Sequence, residues 1–219
     1  MEISYWTSRW KKNKIGWHMQ EVYPPLVSYW NRLELNAGDC ILVPLCGKSK
    51  DLGWLARKGV KVLGVEVSKV AVNQFFSEMK MAYTKKKSGA FTIYESGNIQ
   101  LWQGDFFKLK PSRLPSIDAI YDKAALVALP LKKRREYAQL VLQYCSPSTP
   151  MLVSTFEYPQ DEMSGPPFSV FRDELEELYG NRFNIELLHE ESVFEKLSKF
   201  QRRGLASYLR EKIYLLEAE

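Results

Sequence analysis

Residues 39–68 read DCILVPLCGKSKDLGWLARKGVKVLGVEVS, and this stretch predicts a strand, a tight loop, a helix and a second strand. The apolar runs at 40–45 and 60–67 are rich in branched side chains, which is typical of strands buried on both faces. Apolar residues recur at helical spacing over 50–58, and Gly59 stands where a helix commonly ends. The stretch has the length of a βαβ crossover, so it predicts two neighbouring parallel strands.

Two residues of this unit point to a ligand. Gly47 follows the first strand and Glu66 ends the second, and ligands of open parallel sheets bind beyond the carboxyl ends of the strands. A glycine lets backbone approach a ligand closely, and an acidic residue about 20 positions later can accept hydrogen bonds from both hydroxyls of a ribose. The pair predicts a site for an adenosine-containing cofactor, with an ordinary βαβ unit as the alternative.

The loop also resembles the end of a phosphate-binding P-loop at Gly47-Lys48-Ser49. That motif needs a second glycine at the position of Leu42. A P-loop nucleotide hydrolase is therefore disfavoured.

Composition limits the remaining classes. The chain has 219 residues, 45% of them apolar, which suits one large domain with a full core or two small ones. Three widely spaced cysteines favour a reducing compartment over a disulfide framework, and two histidines are too few for a dedicated zinc site. No apolar run is long enough for a membrane span, and the N-terminal residues lack the apolar core of a secretory signal. We predict a cytoplasmic single domain over residues 1–219, without a metal.

The charge of the chain is mildly basic, with a formal net charge of +5. Basic clusters occur at 85–87, 132–135 and 202–203, and such clusters are typical of solvated faces. No zinc-finger spacing or RNA-binding aromatic motif accompanies them. We therefore expect a small-molecule partner, no nucleic acid and no membrane, and we expect a monomer.

Residues 1–36 form an aromatic segment ahead of the sheet. It carries Trp6, Trp10 and Trp17, and the pattern predicts a helix at about 3–12 and another at about 25–33. Such a segment either covers a ligand cleft or packs as a terminal extension. We predict a helical, aromatic-rich cap over the cofactor and substrate cleft.

The later residues continue the alternation of strands and helices. A polar connection over residues 85–89 leads into a predicted hairpin, and two strands joined by a long loop close the chain. The fold class that follows is α/β, with a doubly wound, seven-stranded, mostly parallel sheet. The predicted later strands are residues 91–94, 99–102, 117–121, 150–157, 183–188 and 213–216.

Polar or aromatic residues follow three of these later strands. Asp105 could accept from an adenine amino group, or it could be a turn residue. Asp122 and Lys123 could face the ligand crevice, with Lys123 near a carboxylate, or Asp122 could cap a helix beside a solvated lysine. Pro167 and Phe168 lie in a stiff loop that could wall an active site or serve as a connector.

Taken together, the motifs are similar to those of the bacterial branch of the thiopurine S-methyltransferases, which are class I, Rossmann-like enzymes dependent on S-adenosyl-L-methionine. The resemblance runs from residue 5 to the C-terminus in family order, and PLCGKS together with GPPF is specific to this family. The matching blocks are Trp6 and Trp10 with NKIGWH at 13–18, VPLCGKS at 43–49, GVEVS at 64–68, GDFF at 104–107, YDKAAL at 121–126 and GPPF at 165–168.

The resemblance implies roles for matching residues. Trp17, Pro167 and Phe168 would bind substrate. Lys123 stands where the family usually has arginine. The lysine keeps the positive charge but lacks the planar guanidinium group of arginine. Asp122 and Lys123 are catalytic candidates. The implied cofactor-binding residues are Trp6, Trp10, Leu45, Gly47, Glu66, Asp105, Phe106 and Lys123.

The implied reaction is methyl transfer to the sulfur of aromatic or heterocyclic thiols such as 6-thiopurines, in detoxification. Heterocyclic thiols ionise near neutral pH, so orientation and exclusion of water dominate, and Asp122 would assist with less acidic thiols. One alternative is methylation of selenium or tellurium oxyanions or of other small thiols. A nucleic acid methyltransferase and a non-enzymatic cofactor-binding module are the others.

Overall fold

The computed structural model describes residues 3–146 and 148–218. Helices and strands alternate through most of this part of the chain. The helices are α1 Ile3–Lys11, α2 Pro24–Tyr29, α3 Lys50–Arg57, α4 Lys69–Glu78, α5 Leu131–Tyr144, α6 Arg172–Tyr179 and α7 Ser198–Gln201. The strands are β1 Cys40–Val43, β2 Lys61–Glu66, β3 Thr84–Ser88, β4 Phe91–Ser96, β5 Ile99–Gln103, β6 Ala119–Lys123, β7 Met151–Glu157, β8 Asn184–Ser192 and β9 Arg210–Glu217.

The βαβ unit predicted from residues 39–68 is confirmed. β1 and β2 run parallel with Cys40 opposite Lys61, and α3 connects them. The serines before α3 and α4 each accept a hydrogen bond from the helix's first turn, Ser49 from the Asp51 amide and Ser68 from the Ala71 amide. These capping bonds fix where each helix begins after its strand.

The described residues give a mixed sheet of nine strands, in the order β3-β4-β5-β2-β1-β6-β7-β9-β8. The α/β prediction is confirmed, but the predicted number of seven strands is wrong. Residues 84–88, which overlap the polar connection predicted over 85–89, form β3 and pair antiparallel with β4. Lysines with exposed side chains occupy 85–87, so this edge strand is held by backbone pairing and carries no apolar pattern.

The chain divides into two compact units, Met1–Tyr121 and Asp122–Glu219. In the first, β1, β2, β5 and β6 supply parallel pairs, while β3, β4 and β5 form an antiparallel meander. In the second, β9 pairs antiparallel with both β7 and β8, and a bulge interrupts β8 at Leu187/His189. The assignment of residues 1–219 to a single domain, with 1–36 as a cap over the cleft, stays a prediction.

Apolar packing differs between the units. In the first, β1 is buried along its whole length, as the uninterrupted apolar run predicts. The second unit contains a buried cluster formed by residues between β7 and α6 and between β8 and β9. Its members are Tyr158, Met163, Val193, Phe200, Leu205 and Leu209. None of the helices in the described part of the chain combines the length and apolar character that crossing a bilayer requires.

Asp51 is a buried acceptor that links distant segments of the first unit. Its side chain is 1% exposed. One carboxylate oxygen accepts from the Tyr23 amide at 2.9 Å and the other from the Tyr121 hydroxyl at 2.9 Å. A buried carboxylate on α3 thereby connects the N-terminal segment to β6, across 28 and 70 residues of sequence.

We expect Asp51→Ala to lower the free energy of unfolding by about 3 kcal/mol, because it leaves two buried donors without an acceptor. Urea unfolding followed by circular dichroism measures the change. Asp39→Ala is the matched control, since Asp39 accepts from the exposed Asn36 amide, and its loss should cost under about 1 kcal/mol. Equal destabilisation by the two variants would contradict the role of Asp51.

Candidate functional site

The loop after β1 turns back sharply through left-handed backbone. Leu45 has φ 46° and Gly47 has φ 57°, and between them the Cys46 amide donates to the Val65 carbonyl at 3.0 Å. A leucine in this conformation is strained, whereas a glycine adopts it readily. The loop is thereby turned toward the end of β2, where Glu66 lies.

Glu66 closes this loop through its carboxylate. Oε2 accepts from the Gly47 amide at 2.9 Å, and Oε1 accepts from the Ser68 amide at 2.6 Å. The side chain is 5% exposed. Each oxygen keeps lone-pair capacity beyond its backbone partner, so the carboxylate can accept further donors from a ligand.

Burial sets the charge state of this carboxyl group. It raises the pKa of Glu66 to about 7, although the Ser68, Gly47 and Val67 amides act in the opposite direction. Burial, with Glu66 as a second cause, also raises the pKa of the neighbouring Cys46 thiol well above its usual value. Glu66 is therefore the group of this pair that changes charge near neutral pH.

An aromatic cluster from the N-terminal segment lies on the same loop. A Cβ built on Gly47 would lie 3.1 Å from the Trp10 ring, so the indole packs directly on the glycine. The Trp17 ring meets Trp10 edge-on with centroids 5.9 Å apart and Trp6 with centroids 5.2 Å apart. The Arg9 guanidinium lies 5.4 Å from the Trp17 ring centroid, a cation–π contact.

A second turn follows β5, the strand next to β2. The Gly104 amide donates to the Glu66 carbonyl at 3.0 Å, which places Asp105 just beyond the end of β2. Asp105 is half-buried and begins a 3-10 turn by accepting from the Phe107 amide at 3.1 Å. Phe106 is buried under this turn, with 1% of its surface exposed.

The predicted cofactor residues of the first unit therefore share one edge of the sheet. Their chemistry fits an adenosine-containing group: a buried acidic acceptor, a glycine with an indole packed on it, and a second, half-buried carboxylate. Trp17 reaches this edge through its contact with Trp10, and Trp6 reaches it through its contact with Trp17. A cluster of side chains suited to a metal ion is absent from the described residues. The individual binding roles stay predictions.

Asp122 lies at the other predicted site, in the second unit, and is fully buried. It accepts from the Ala125 and Leu126 amides at 3.1 Å each and from the Tyr137 hydroxyl at 2.7 Å. Burial raises the pKa of this carboxyl group above its usual value. These bonds match the alternative of a capping residue, and the catalytic role stays a prediction that an Asp122→Asn variant with an unchanged pH profile of turnover would contradict.

Lys123 is half-buried at the end of β6 and belongs to a group of cations. The pKa of Lys199 is lowered by burial, then by the charges of Lys123 and Arg203. From the sequence, residue 199 was placed only in the long loop between the last two strands, so the relation of Lys199 to Lys123 was missed. Lys199 belongs to no recognisable motif, and a separation of 76 positions from Lys123 hides the relation in the sequence.

Pro167 and Phe168 belong to residues 165–168, hereafter the GPPF loop. The Phe168 amide donates to the Val127 carbonyl at 2.7 Å, and the Arg134 guanidinium lies 5.9 Å from the Phe168 ring centroid. Gly165 has φ 71°, and a Cβ there would lie 2.6 Å from that ring. The glycine is therefore required for the ring to fold back over it.

The fold and the edge residues of its first unit define a class I S-adenosylmethionine-dependent methyltransferase. The chain is similar to the solved 1,6-didemethyltoxoflavin-N1-methyltransferase of Burkholderia thailandensis, with a TM-score of 0.64, 13% identity, and coverage of 99% of this chain and 87% of that one. That likeness shows the fold.

Proteins of similar sequence identify the family as well as the fold. The model of the thiopurine S-methyltransferase (TPMT) family matches residues 1–219. The thiopurine S-methyltransferase of Nitrosospira multiformis is 44% identical over 216 residues, 99% of this chain and 98% of that protein. That of Pseudomonas aeruginosa strain UCBPP-PA14 is 44% identical over 218 residues, 99% of each chain. The protein belongs to the thiopurine S-methyltransferase family, as the motifs predicted.

We expect the affinity for S-adenosylhomocysteine, the product form of the cofactor, to fall by about tenfold between pH 8 and pH 6, because a pKa near 7 leaves Glu66 mostly protonated at the lower pH. Ribose hydroxyls donate better to the ionised form. The stability of the free protein depends on pH in the opposite direction. Because folding raises the pKa of Glu66 from 4.5 to about 7, the free energy of unfolding falls as the pH rises from 4.5 to about 7. Calorimetric titration at both pH values measures the affinity.

Glu66→Gln is the control for this titration, since the amide keeps the size and an acceptor oxygen but does not ionise. At pH 8 the variant should bind S-adenosylhomocysteine more weakly than the parent protein does. The variant's own affinity should be nearly the same at pH 6 and at pH 8. A pH dependence that persists in Glu66→Gln would assign the titrating group elsewhere.

Proposed function

We propose that this methyltransferase transfers the methyl group of S-adenosylmethionine to the sulfur of aromatic or heterocyclic thiols, with 6-thiopurines as representative acceptors. The observation that carries the proposal is the group of cations formed by Lys123, Lys199 and Arg203, in which burial, and then the charges of the other two, lower the pKa of Lys199. Such a field favours an anionic acceptor, and a thiolate is one. Relatives named thiopurine S-methyltransferase, 41–44% identical over nearly the whole chain, support the same acceptor.

On the cofactor side, the residues bind and orient. Glu66 would accept the ribose hydroxyls, Asp105 the adenine amino group, and Trp10 and Phe106 would present apolar surface. Leu45 and Gly47 would bring backbone close to the ligand. When bound, S-adenosylmethionine supplies a methyl group on a positively charged sulfonium, and aromatic faces stabilise such a cation without competing for the methyl group.

On the acceptor side, the residues hold a charge and exclude water. Cations beside the thiol favour its ionised form, so a heterocyclic thiol loses its proton to solvent without a dedicated base. Lys123 and Lys199 would hold that thiolate. Trp17, Pro167 and Phe168 would provide the apolar surface against which the ring is oriented, and orientation supplies most of the rate enhancement.

We also infer a monomer in the cytoplasm that acts on small molecules in detoxification and does not bind nucleic acid. The cysteines support the compartment, since Cys40, Cys46 and Cys145 are free and buried. The exposed basic side chains at 85–87 lie on an edge strand, where lysines commonly prevent association with other strands.

Calorimetry and a methyl-transfer assay test the proposed function together. S-adenosylhomocysteine should bind with micromolar affinity, and 6-mercaptopurine should tighten that binding and become methylated on sulfur. Cofactor binding without methylation of any aromatic or heterocyclic thiol would reject the acceptor class, and selenite and tellurite would be assayed next. Failure to bind the cofactor product would favour the non-enzymatic module.

The charge at position 123 gives a further prediction. We expect Lys123→Gln to raise the KM for 6-mercaptopurine by about tenfold, equivalent to ~1.4 kcal/mol for one partly screened charge interaction. Lys123→Arg should keep the KM within about threefold, since it keeps the charge. Steady-state kinetics at pH 8 measures both.

Lys132→Gln is the matched control for charge, since Lys132 is an exposed lysine of α5. It should leave the KM unchanged. Equal effects of Lys123→Gln and Lys132→Gln would mean that net charge alone matters. A rise in the dissociation constant of S-adenosylhomocysteine without a change in acceptor KM would place Lys123 with the cofactor.

A further inference from the structure

Tyr158 follows the last residue of β7 and is fully buried. Its hydroxyl donates to the Pro167 carbonyl of the GPPF loop at 2.7 Å. The two prolines of this loop have no N–H, so their carbonyls are the backbone groups by which other residues can hold them. The Tyr158 hydroxyl therefore holds the carbonyl of one of the two prolines.

A closed set of hydrogen bonds surrounds this contact. The Gln160 Nε2 donates to the Tyr158 hydroxyl at 3.0 Å, and the Gln160 Oε1 accepts from the Ser169 amide at 2.9 Å. The Ser169 hydroxyl in turn accepts from the Tyr158 amide at 3.0 Å. The end of β7 is thereby bonded both to the loop and to the residue directly after it.

Two further bonds hold the remaining loop residues. The Arg203 guanidinium donates to the Pro166 carbonyl at 2.8 Å, and the Phe168 amide donates to the Val127 carbonyl at 2.7 Å. Arg203 is exposed and Tyr158 is buried. The bond from the Tyr158 hydroxyl is partly buried whereas that from Arg203 is exposed, so the Tyr158 bond is the harder one for solvent to replace.

We propose that Tyr158, assisted by Gln160, is a positioning residue that sets the shape of the GPPF loop and thereby selects which acceptors bind. The inference rests on the proposed function, in which Pro167 and Phe168 contact the acceptor. Without the Tyr158 hydroxyl, the Pro167 carbonyl and the Gln160 amide lose a buried partner. The exposed Gln160 amide keeps the Met163 carbonyl as its acceptor, whereas the half-buried Pro167 carbonyl must find a new donor, so the loop shifts and the acceptor surface shifts with it.

Tyr158→Phe tests the proposal, and Tyr179→Phe is its matched control. Tyr179 is also a buried tyrosine of the second unit, 1% exposed, and its hydroxyl makes no hydrogen bond to any described residue. The same atom is removed in both variants. We expect Tyr158→Phe to raise the KM for 6-mercaptopurine by about tenfold with kcat within about twofold, as loss of acceptor binding predicts, and Tyr179→Phe to leave both within about twofold.

Two more measurements separate positioning from general damage. The affinity for S-adenosylhomocysteine should be unchanged in Tyr158→Phe, which also shows that the variant is folded. The ratio of kcat/KM for 6-mercaptopurine to that for a bulkier aryl thiol should change in Tyr158→Phe and not in Tyr179→Phe. Gln160→Met should shift the acceptor KM in the same direction, and its effect should not add to that of Tyr158→Phe.

Two kinds of result would contradict the proposal, and they can be told apart. Equal acceptor KM values for the two tyrosine variants, or a loss of cofactor affinity in Tyr158→Phe, would overturn the inference while leaving thiol methylation by the parent enzyme established. Absence of thiol methylation in the parent enzyme, with cofactor binding intact, would overturn the proposed function and this inference with it. The parent assay distinguishes the two failures before any variant is compared.

Discussion

The hydrogen bond from the Gly47 amide to the Glu66 carboxylate is the constraint on which the first unit's site depends. It joins the loop after β1 to the end of β2 at 2.9 Å, and Trp10 packs on the same glycine. A side chain at position 47 would press against the indole, and the loop's left-handed backbone would disfavour it in any case. One buried carboxylate therefore fixes the loop, and the loop fixes the place of the aromatic cluster.

The same carboxylate couples folding to charge. The Ser68, Gly47 and Val67 amides offset part of the cost of burial, yet its pKa still stands at about 7. Proteins commonly tolerate such a cost where a ligand later supplies the missing donors. In the second unit, Asp122 is equally buried but has three donors already, from the Ala125 and Leu126 amides and the Tyr137 hydroxyl. The two carboxylates therefore have different roles. Glu66 can still accept hydrogen bonds from a ligand, whereas Asp122 organises the turn after β6.

The central strands and the edge of the sheet differ in how far the sequence could predict them. The βαβ unit of residues 39–68 was predicted correctly because buried strands leave an uninterrupted apolar run, and Glu66 stood out as an acid at its end. β3 was missed since an edge strand of lysines has no apolar period. At the site, the spacing of Gly47 and Glu66 predicted a cofactor contact for each, whereas the hydrogen bond between them was visible only in the structure. The contacts of Asp51 with Tyr121, and of Tyr158 with Pro167, depend on tertiary packing, which no local pattern encodes.

The aromatic cluster has a spectroscopic consequence. Trp6, Trp10 and Trp17 are three of the six tryptophans in the chain, and their rings meet edge-on beside the Gly47 loop. Half of the indole chromophores are thus concentrated in one contact group, where neighbouring rings and the Arg9 cation perturb their excited states. The ultraviolet emission and near-ultraviolet dichroism of the protein should be dominated by this corner, so the enzyme carries its own unlabelled optical reporter of events at that loop.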